Sequence, residues 1–247
     1  MKTVELSARM QALVNMVSKD RIVCDIGCDH GWVSIYLVQQ NIASKVFAMD
    51  VRTGPLKRAK EHIRDYHLET YIETRLSDGL AQLQVGEADC MVCAGMGGPL
   101  MMKILTEGRE KAHAMKELIL QPQSEIRQFR EFLRREGYKA VAEDMILEDG
   151  KYYPMMKVIP SSLHDVTNSV SVMEASNEEE QLLWDTFGEL LLKEKHSVLK
   201  QYLEFSMKHV ETLLQHLKEQ GTARAEGRMV ELEKELYVLQ KARVYME

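Results

Sequence analysis

Two stretches of this chain combine residue types that suit ligand chemistry. Asp25-Ile26-Gly27-Cys28-Asp29-His30-Gly31 mixes glycines with carboxylates, and Cys93-Ala94-Gly95-Met96-Gly97-Gly98-Pro99 places three glycines in four positions. Gly27 permits a tight turn, and Gly31 permits close approach of backbone to a ligand or of helix to sheet. The order D-x-G-x-x-x-G differs from the G-x-G-x-x-G of dinucleotide folds, because Asp29 stands where the middle glycine would let a pyrophosphate touch the backbone. A phosphate there would meet like charge at short range. A ligand with a cationic centre and no phosphate suits the loop better, and S-adenosylmethionine, with a sulfonium, an amino-acid end and an adenosine, is such a ligand. Asp50, 23 residues after Gly27, is placed to accept both ribose hydroxyls. Asp78, in Leu76-Ser77-Asp78-Gly79-Leu80, is placed to accept from the adenine amino group.

Alternating strands and helices must hold these groups. The apolar runs 21–27, 44–50, 71–76, 88–94 and 117–121 read as strands. Helices are expected at 5–17, 32–40, 55–66, 99–107 and 125–137, with Pro55 in a favoured first turn and Gly137 as a stop. Residues 138–160 read as two strands around Glu148-Asp149-Gly150, a hairpin signal. This order predicts an α/β, doubly wound Rossmann-like domain over 1–160, binding ligands at the carboxyl ends of its strands. Residues 161–171 read as a linker within a C-terminal domain over 161–247 that contains three helical segments. Leu199, Leu203, Ser206, Val210, Leu213 and Leu217 form a heptad seam, EQGTARAEG (219–227) breaks it, and Met229, Leu232, Leu236 and Leu239 resume it. Two such helices should fold back as an antiparallel coiled coil.

Composition limits the partners. The chain has 247 residues, 45% hydrophobic and 28% charged, with a formal net charge of -6. Residues 1–160 balance 22 basic against 22 acidic side chains, and residues 161–247 carry 10 against 16. The first part can present a basic face, and the second is poorly suited to gripping phosphates alone. Arg52, Lys57, Arg58, Lys60 and Arg64 form one basic cluster, and Arg127, Arg130, Arg134, Arg135 and Lys139 another. No apolar run approaches the roughly 20 residues of a membrane span, and the first residues do not read as a signal peptide, so a cytoplasmic protein is expected. Cys24, Cys28, Cys90 and Cys93 have spacings that invite a zinc reading, but Cys24 and Cys90 sit in apolar runs and read as buried thiols. No metal is expected.

The set Asp25 to Gly31, Arg75-Leu76-Ser77-Asp78-Gly79-Leu80, Ala94-Gly95-Met96-Gly97-Gly98, Leu118-Ile119-Leu120-Gln121-Pro122 and Glu148-Asp149-Gly150-Lys151-Tyr152-Tyr153 resembles, in order, the bacterial tRNA (adenine(22)-N(1))-methyltransferase family. The resemblance covers residues 5–160, and the helical tail is similar to that family's coiled-coil domain. It implies a class I methyltransferase that uses S-adenosylmethionine to methylate N1 of an adenine in tRNA. The chain departs from the family pattern at Gly31-Trp32-Val33-Ser34, where Ala-Tyr-Leu-Pro is usual, and at Asp78, where Asn is common.

The expected cofactor contacts are Asp25, Gly27, Cys28 and Gly31 after the first strand, Asp50 and Val51 after the second, Ser77, Asp78 and Gly79 after the third, and Ala94 and Gly95 after the fourth. Met96, Gly97, Gly98, Gln121, Pro122 and Tyr152 are expected toward the substrate, with Gln123 flanking Pro122. Of Tyr152 and Tyr153, which alternate faces, at most one should reach the pocket rim. Asp29 and His30 are the candidate catalytic pair. Asp29 would accept from the adenine amino group and offset the positive charge of the product. A monomer is expected. Three rival readings stay open from sequence: a methyltransferase for a small molecule, protein or other RNA, a nicotinamide dehydrogenase, and a non-catalytic tRNA-binding protein.

Overall fold

The computed structural model describes residues 3–161, 178–220 and 223–247. The chain divides into two compact units, with the boundary after residue 173. In the first unit, α1 (Ala8–Asn15), β1 (Arg21–Ile26), α2 (Trp32–Gln39), β2 (Ala43–Asp50), α3 (Thr53–Asp65) and β3 (Ile72–Leu76) precede β4 (Cys90–Met96) and α4 (Gly98–Glu107). Then come α5 (Arg109–His113), β5 (Glu117–Pro122), α6 (Ile126–Arg135), β6 (Tyr138–Glu148) and β7 (Lys151–Pro160). The short α5 has no counterpart in the sequence expectation, since five residues are too few to establish a helical period.

Among the described residues seven strands form one sheet in the order β3-β2-β1-β4-β5-β7-β6. β1 to β5 run parallel, and β7 is antiparallel to both β5 and β6. The expected hairpin is present: Glu148 pairs with Lys151, and Asp149 and Gly150 both take the positive φ that such a tight turn demands.

Period-two alternation assigns each strand side chain to one of two cores. Cys24, Phe47, Met91 and Cys93 pack against α4, α5 and α6, whereas Val23, Val46, Cys90 and Val92 pack against α1, α2 and α3. The four cysteines are buried and unpaired. Cys24 and Cys93 lie in the first core and Cys28 and Cys90 in the second, so the sheet divides the set that the zinc reading would need together. Burial pushes the Cys93 thiol up to about 12, which further suits an inert core residue. α1 is shorter than expected because Ser7 caps it, its hydroxyl accepting from the Met10 N–H at 3.4 Å. Residues 5–7 therefore run free of the helix.

The second unit holds α7 (Glu178–Phe187), α8 (Glu189–Lys193), α9 (Ser197–Gln220) and α10 (Ala223–Tyr245). Among the described residues four helices replace the three expected, because Gly188, at φ 101°, divides the first. Among the seam positions Leu199, Leu203, Val210, Leu232 and Leu239 are buried, while Leu214 takes the buried place expected of Leu213. Arg243 Nε lies 3.9 Å from Glu204, near the other end of α9, so the two long helices run antiparallel. α10 begins at Ala223 and continues through Gly227, so the break is shorter than 219–227. The linker expected at 161–171 lies, beyond Ser161, outside the described residues. Among the described residues no helix is long and apolar enough to cross a membrane.

Candidate active site

The carboxyl ends of the central strands are stitched together through backbone. Gly27 and Cys28 donate N–H bonds to the Met49 carbonyl at 2.8 and 3.0 Å, and Ser77 donates to the Asp50 carbonyl at 2.9 Å. The β1–α2 loop then turns through left-handed conformations at Gly27 (φ 74°), Asp29 (φ 47°) and Gly31 (φ 76°). A Cβ at Gly31 would stand 3.2 Å from Ala59 Cβ, so this glycine lets α2 start tight against α3. Its role is helix packing as well as loop shape.

Carboxylates converge here. Asp25 is buried, and its partner is the Ser34 hydroxyl, which donates at 2.6 Å. Burial is the main reason its carboxyl is pushed up to about 6, and the neighbouring Asp50 adds to it. The half-open side of the same loop carries Asp29, 3.6 Å from His30 Nε2 and 3.9 Å from Arg58 Nη2. Cys28 lies among them: its thiol is raised first by burial and then by Asp25, Asp50 and Asp29. That surrounding disfavours its thiolate form.

At the neighbouring tips Asp50 is buried and accepts from the Arg52 N–H at 2.8 Å, while Val51 is exposed. Ser77 is buried and organises the turn, donating to the Gly79 carbonyl at 2.8 Å and accepting from the Gln82 N–H at 3.1 Å. That turn presents Asp78 to solvent, 4.0 Å from Lys103 Nζ.

The glycine run after β4 has a structural cause. Register slips between Ala94 and Met96, so Gly95, at φ 77°, is the extra residue of a bulge. Its N–H donates to Gln121 Oε1 at 3.3 Å. Gln121 is 1% exposed, and the same oxygen also accepts from Arg9 Nη1 at 2.9 Å. Its expected place toward the substrate is thereby corrected: Gln121 faces protein and shapes the bulge, while Gln123 is exposed beside Gly95. Pro122 is buried. Gly98 is buried, and a Cβ there would lie 2.6 Å from the Ser124 carbonyl oxygen, so its missing side chain serves loop packing. Met96 Cε lies over Gly27, 2.2 Å from where a Cβ would stand, and joins the fourth-strand loop to the first.

Arg9 escaped the sequence reading, which used Glu148 as a hairpin residue and expected Tyr152, rather than Tyr153, toward the substrate. The Arg9 N–H donates to Glu148 Oε1 at 3.0 Å, its guanidinium lies 4.8 Å over the Tyr153 ring, and Ser7 Oγ donates to Glu148 Oε2 at 3.3 Å. Tyr153 is thus the tyrosine tied to this network. Tyr152, opposite Leu147 in β6, is half-buried and does not line the cavity described below. The available signal was Arg9 itself, a charge beside the apolar stripe of a short helix. Losing a hydrogen bond to a charged group costs about 1.5–3 kcal/mol, and Arg9→Ala is expected to lower the urea-unfolding free energy by that amount. Arg9→Lys should not restore it, because an ammonium lacks the planar fork.

Asp25, Gly27, Cys28, Asp29, His30 and Ala94 line a cavity of about 280 Å³, and Glu5, Leu6, Ser7 and Met10 supply its other wall. The sequence expectation placed residues 5 and 6 inside a helix. A buried carboxylate on this wall, partnered by a hydroxyl and no cation, favours a positively charged ligand. Residues 6–156 match the family model described as methyltransferase domain. The chain belongs to that family. Its sequence is 29% identical over 217 residues to the tRNA (adenine(22)-N(1))-methyltransferase of Bacillus subtilis (strain 168), covering 88% of this chain and 87% of the relative. The crystal structure of the B. subtilis M1A22 tRNA methyltransferase superposes with a TM-score of 0.79 at 28% identity, over 97% of this chain and 99% of that one. A Streptococcus pneumoniae protein in complex with S-adenosyl-L-methionine gives 0.79 and 28%, over 97% and 100%. The glycine turn, the two buried carboxylates and the cavity suit a cationic, phosphate-free ligand such as the one that neighbour holds.

Proposed function

We propose that this methyltransferase transfers a methyl group to N1 of adenine 22 in tRNA. The observation that carries the cofactor half of this reading is the buried Asp25 carboxylate on the cavity wall, held by a neutral hydroxyl. The sequence and structural kinship to the B. subtilis enzyme supports the substrate half. When bound, S-adenosylmethionine supplies an electrophilic methyl group on a sulfonium. Asp25 offers negative charge, Asp50 a carboxylate for the ribose hydroxyls, and Asp78 an acceptor for the adenine amino group. Gly27, Cys28, Gly31, Ala94 and Gly95 bring backbone close to the ligand, with Ser77 and Gly79 shaping the turn under Asp78 and Val51 offering apolar surface beside it.

Adenine N1 carries a lone pair and no proton at neutral pH, so the site needs no strong base. Its task is to align the reacting atoms and exclude water. The target base must leave its stack, at a cost of a few kcal/mol, and Gly95, Met96 and Gly97 form the wall that receives it. Asp29 accepts from the amino group of that base, with His30 beside it. Residues 1–160 act as the catalytic domain and residues 161–247 as a shape guide for tRNA, in a monomeric, cytoplasmic enzyme. The exposed Arg52, Lys57, Arg58, Lys60 and Arg64 face phosphates, and raising salt should weaken tRNA binding steeply. Arg130 does not join them, since it is buried against Glu143 at 2.9 Å.

Incubation with labelled S-adenosylmethionine and unmodified tRNA, followed by mapping of the modified nucleotide, tests the assignment. Label at N1 of adenine 22 supports it, and label elsewhere or none overturns it. Asp29→Ala should lower the turnover rate about tenfold or more, within the range for loss of one positioned charge stabiliser; a rate within about twofold of wild type removes Asp29 from the mechanism.

A further inference from the structure

Beside the cavity the chain holds a stack of rings, of which only His30 enters the mechanism above. Trp32, on the first turn of α2, lies 4.1 Å from the His62 ring at 17°, and His30 lies 5.8 Å from His62 at 22°. Tyr66 meets Trp32 edge-on at 6.3 Å and 84°. His62 is fixed by its Nδ1–H, which donates to the His30 carbonyl at 2.9 Å. Trp32 is 37% exposed, although Ser34, Ile35, Leu37 and Val38 of the same helix are buried, and it lines the cavity with Asp29 and His30. His62 and Tyr66 come from α3 and its C-cap, the helix whose solvent face carries Lys57, Arg58, Lys60 and Arg64 against Glu61 and Asp65.

We infer that Trp32, with His62 behind it, is a stacking platform for a nucleotide of the RNA adjoining the methylated base. An exposed indole already stacked and edge-braced has little freedom left to lose when a flat ring settles on it. Nucleobases are flat, and every base has a π-face, so this contact is tolerant of sequence. The basic side chains of α3 meet the phosphates on either side of such a base, whereas an apolar protein partner gains nothing from them. The platform holds the strand while the neighbouring base occupies the cavity. It rests on the tRNA reading above, and it adds a residue that binds substrate without touching the reacting atoms.

Kinetics on the full chain test it. Trp32→Ala should raise the KM for tRNA about tenfold, the order of one lost base stack, with S-adenosylhomocysteine affinity, read by calorimetry, falling several-fold less. Trp32→Tyr should recover most of the loss. The sequence has two tryptophans, Trp32 and Trp184, so in Trp184→Phe the emission of Trp32 should be quenched by tRNA and not by S-adenosylhomocysteine alone. An unchanged tRNA KM, a parallel loss of cofactor affinity, or quenching by the cofactor product alone overturns the platform. Failure of wild-type enzyme to label tRNA overturns the substrate assignment instead, and quenching by RNA is still read in that case.

Discussion

Asp25→Asn is expected to make the protein harder to unfold at pH 8, while weakening its hold on cofactor. The wild-type carboxyl is raised from 3.8 to about 6 in the folded state, chiefly by burial. The folded chain therefore binds this proton more tightly than the unfolded one. Stability from this group is fully present below pH 3.8, is lost as pH rises, and is gone above about 6. At 1.36 kcal/mol per pH unit, that gap amounts to about 3 kcal/mol. Asparagine does not titrate and can still accept the Ser34 hydroxyl, so urea unfolding at pH 8 should show the variant ahead by about that much, with the two proteins converging near pH 3.5. Cofactor binding should run the other way. Wild-type affinity for S-adenosylmethionine should fall as pH drops through about 6, where Asp25 takes up its proton, and the variant should bind at least tenfold more weakly at pH 8 with a flat profile there. Equal stability of both proteins at pH 8 would show that the cost of this buried charge is relieved in some other way.

Gly98→Ala is expected to destabilise the fold about as strongly, for a steric reason. The new Cβ would stand 2.6 Å from the Ser124 carbonyl oxygen and 3.3 Å from that of Glu125. Both are backbone atoms, and the Gly98 N–H donates to the first of them at 3.1 Å. Neither can turn aside without moving the start of α6. Overpacking of this kind costs about 1–3 kcal/mol, occasionally more, and the upper end is expected here. Gly97 offers a control. Its Cβ would meet the Ser124 hydroxyl at 2.9 Å, a side chain that can rotate away, so Gly97→Ala should lose less than about 1 kcal/mol on the usual surface scale. Thermal unfolding of the two variants side by side checks the contrast.

The sheet was legible because its strands are short apolar runs with turn residues between them, and because Asp-Gly at 149–150 leaves little choice of connection. The placement of Asp25, Gly27 and Asp50 at neighbouring strand ends was legible for the related reason that a doubly wound sheet brings such ends together. Gly98 and Gln121 were misread. Glycine next to a ligand and glycine next to another loop look the same in sequence, and only the Ser124 backbone at 2.6 Å separates them. A glutamine after a strand likewise gives no sign that Arg9, 112 residues away, will occupy its oxygen. The cavity wall at residues 5–7 was hidden by periodicity, because Leu6 extends the apolar stripe of α1 although Ser7 ends the helix.

That wall has a bearing on how the protein is made. Ser7 and Glu148 are 141 residues apart in the chain, and Arg9 reaches the same carboxylate. On the ribosome, the glycine turn and the first three strands emerge long before the hairpin that clasps the amino-terminal segment. A nascent chain halted before Glu148 lacks the clasp, whatever its sheet has achieved. The clasp on the amino-terminal segment is accordingly completed only in chains whose synthesis has passed Glu148.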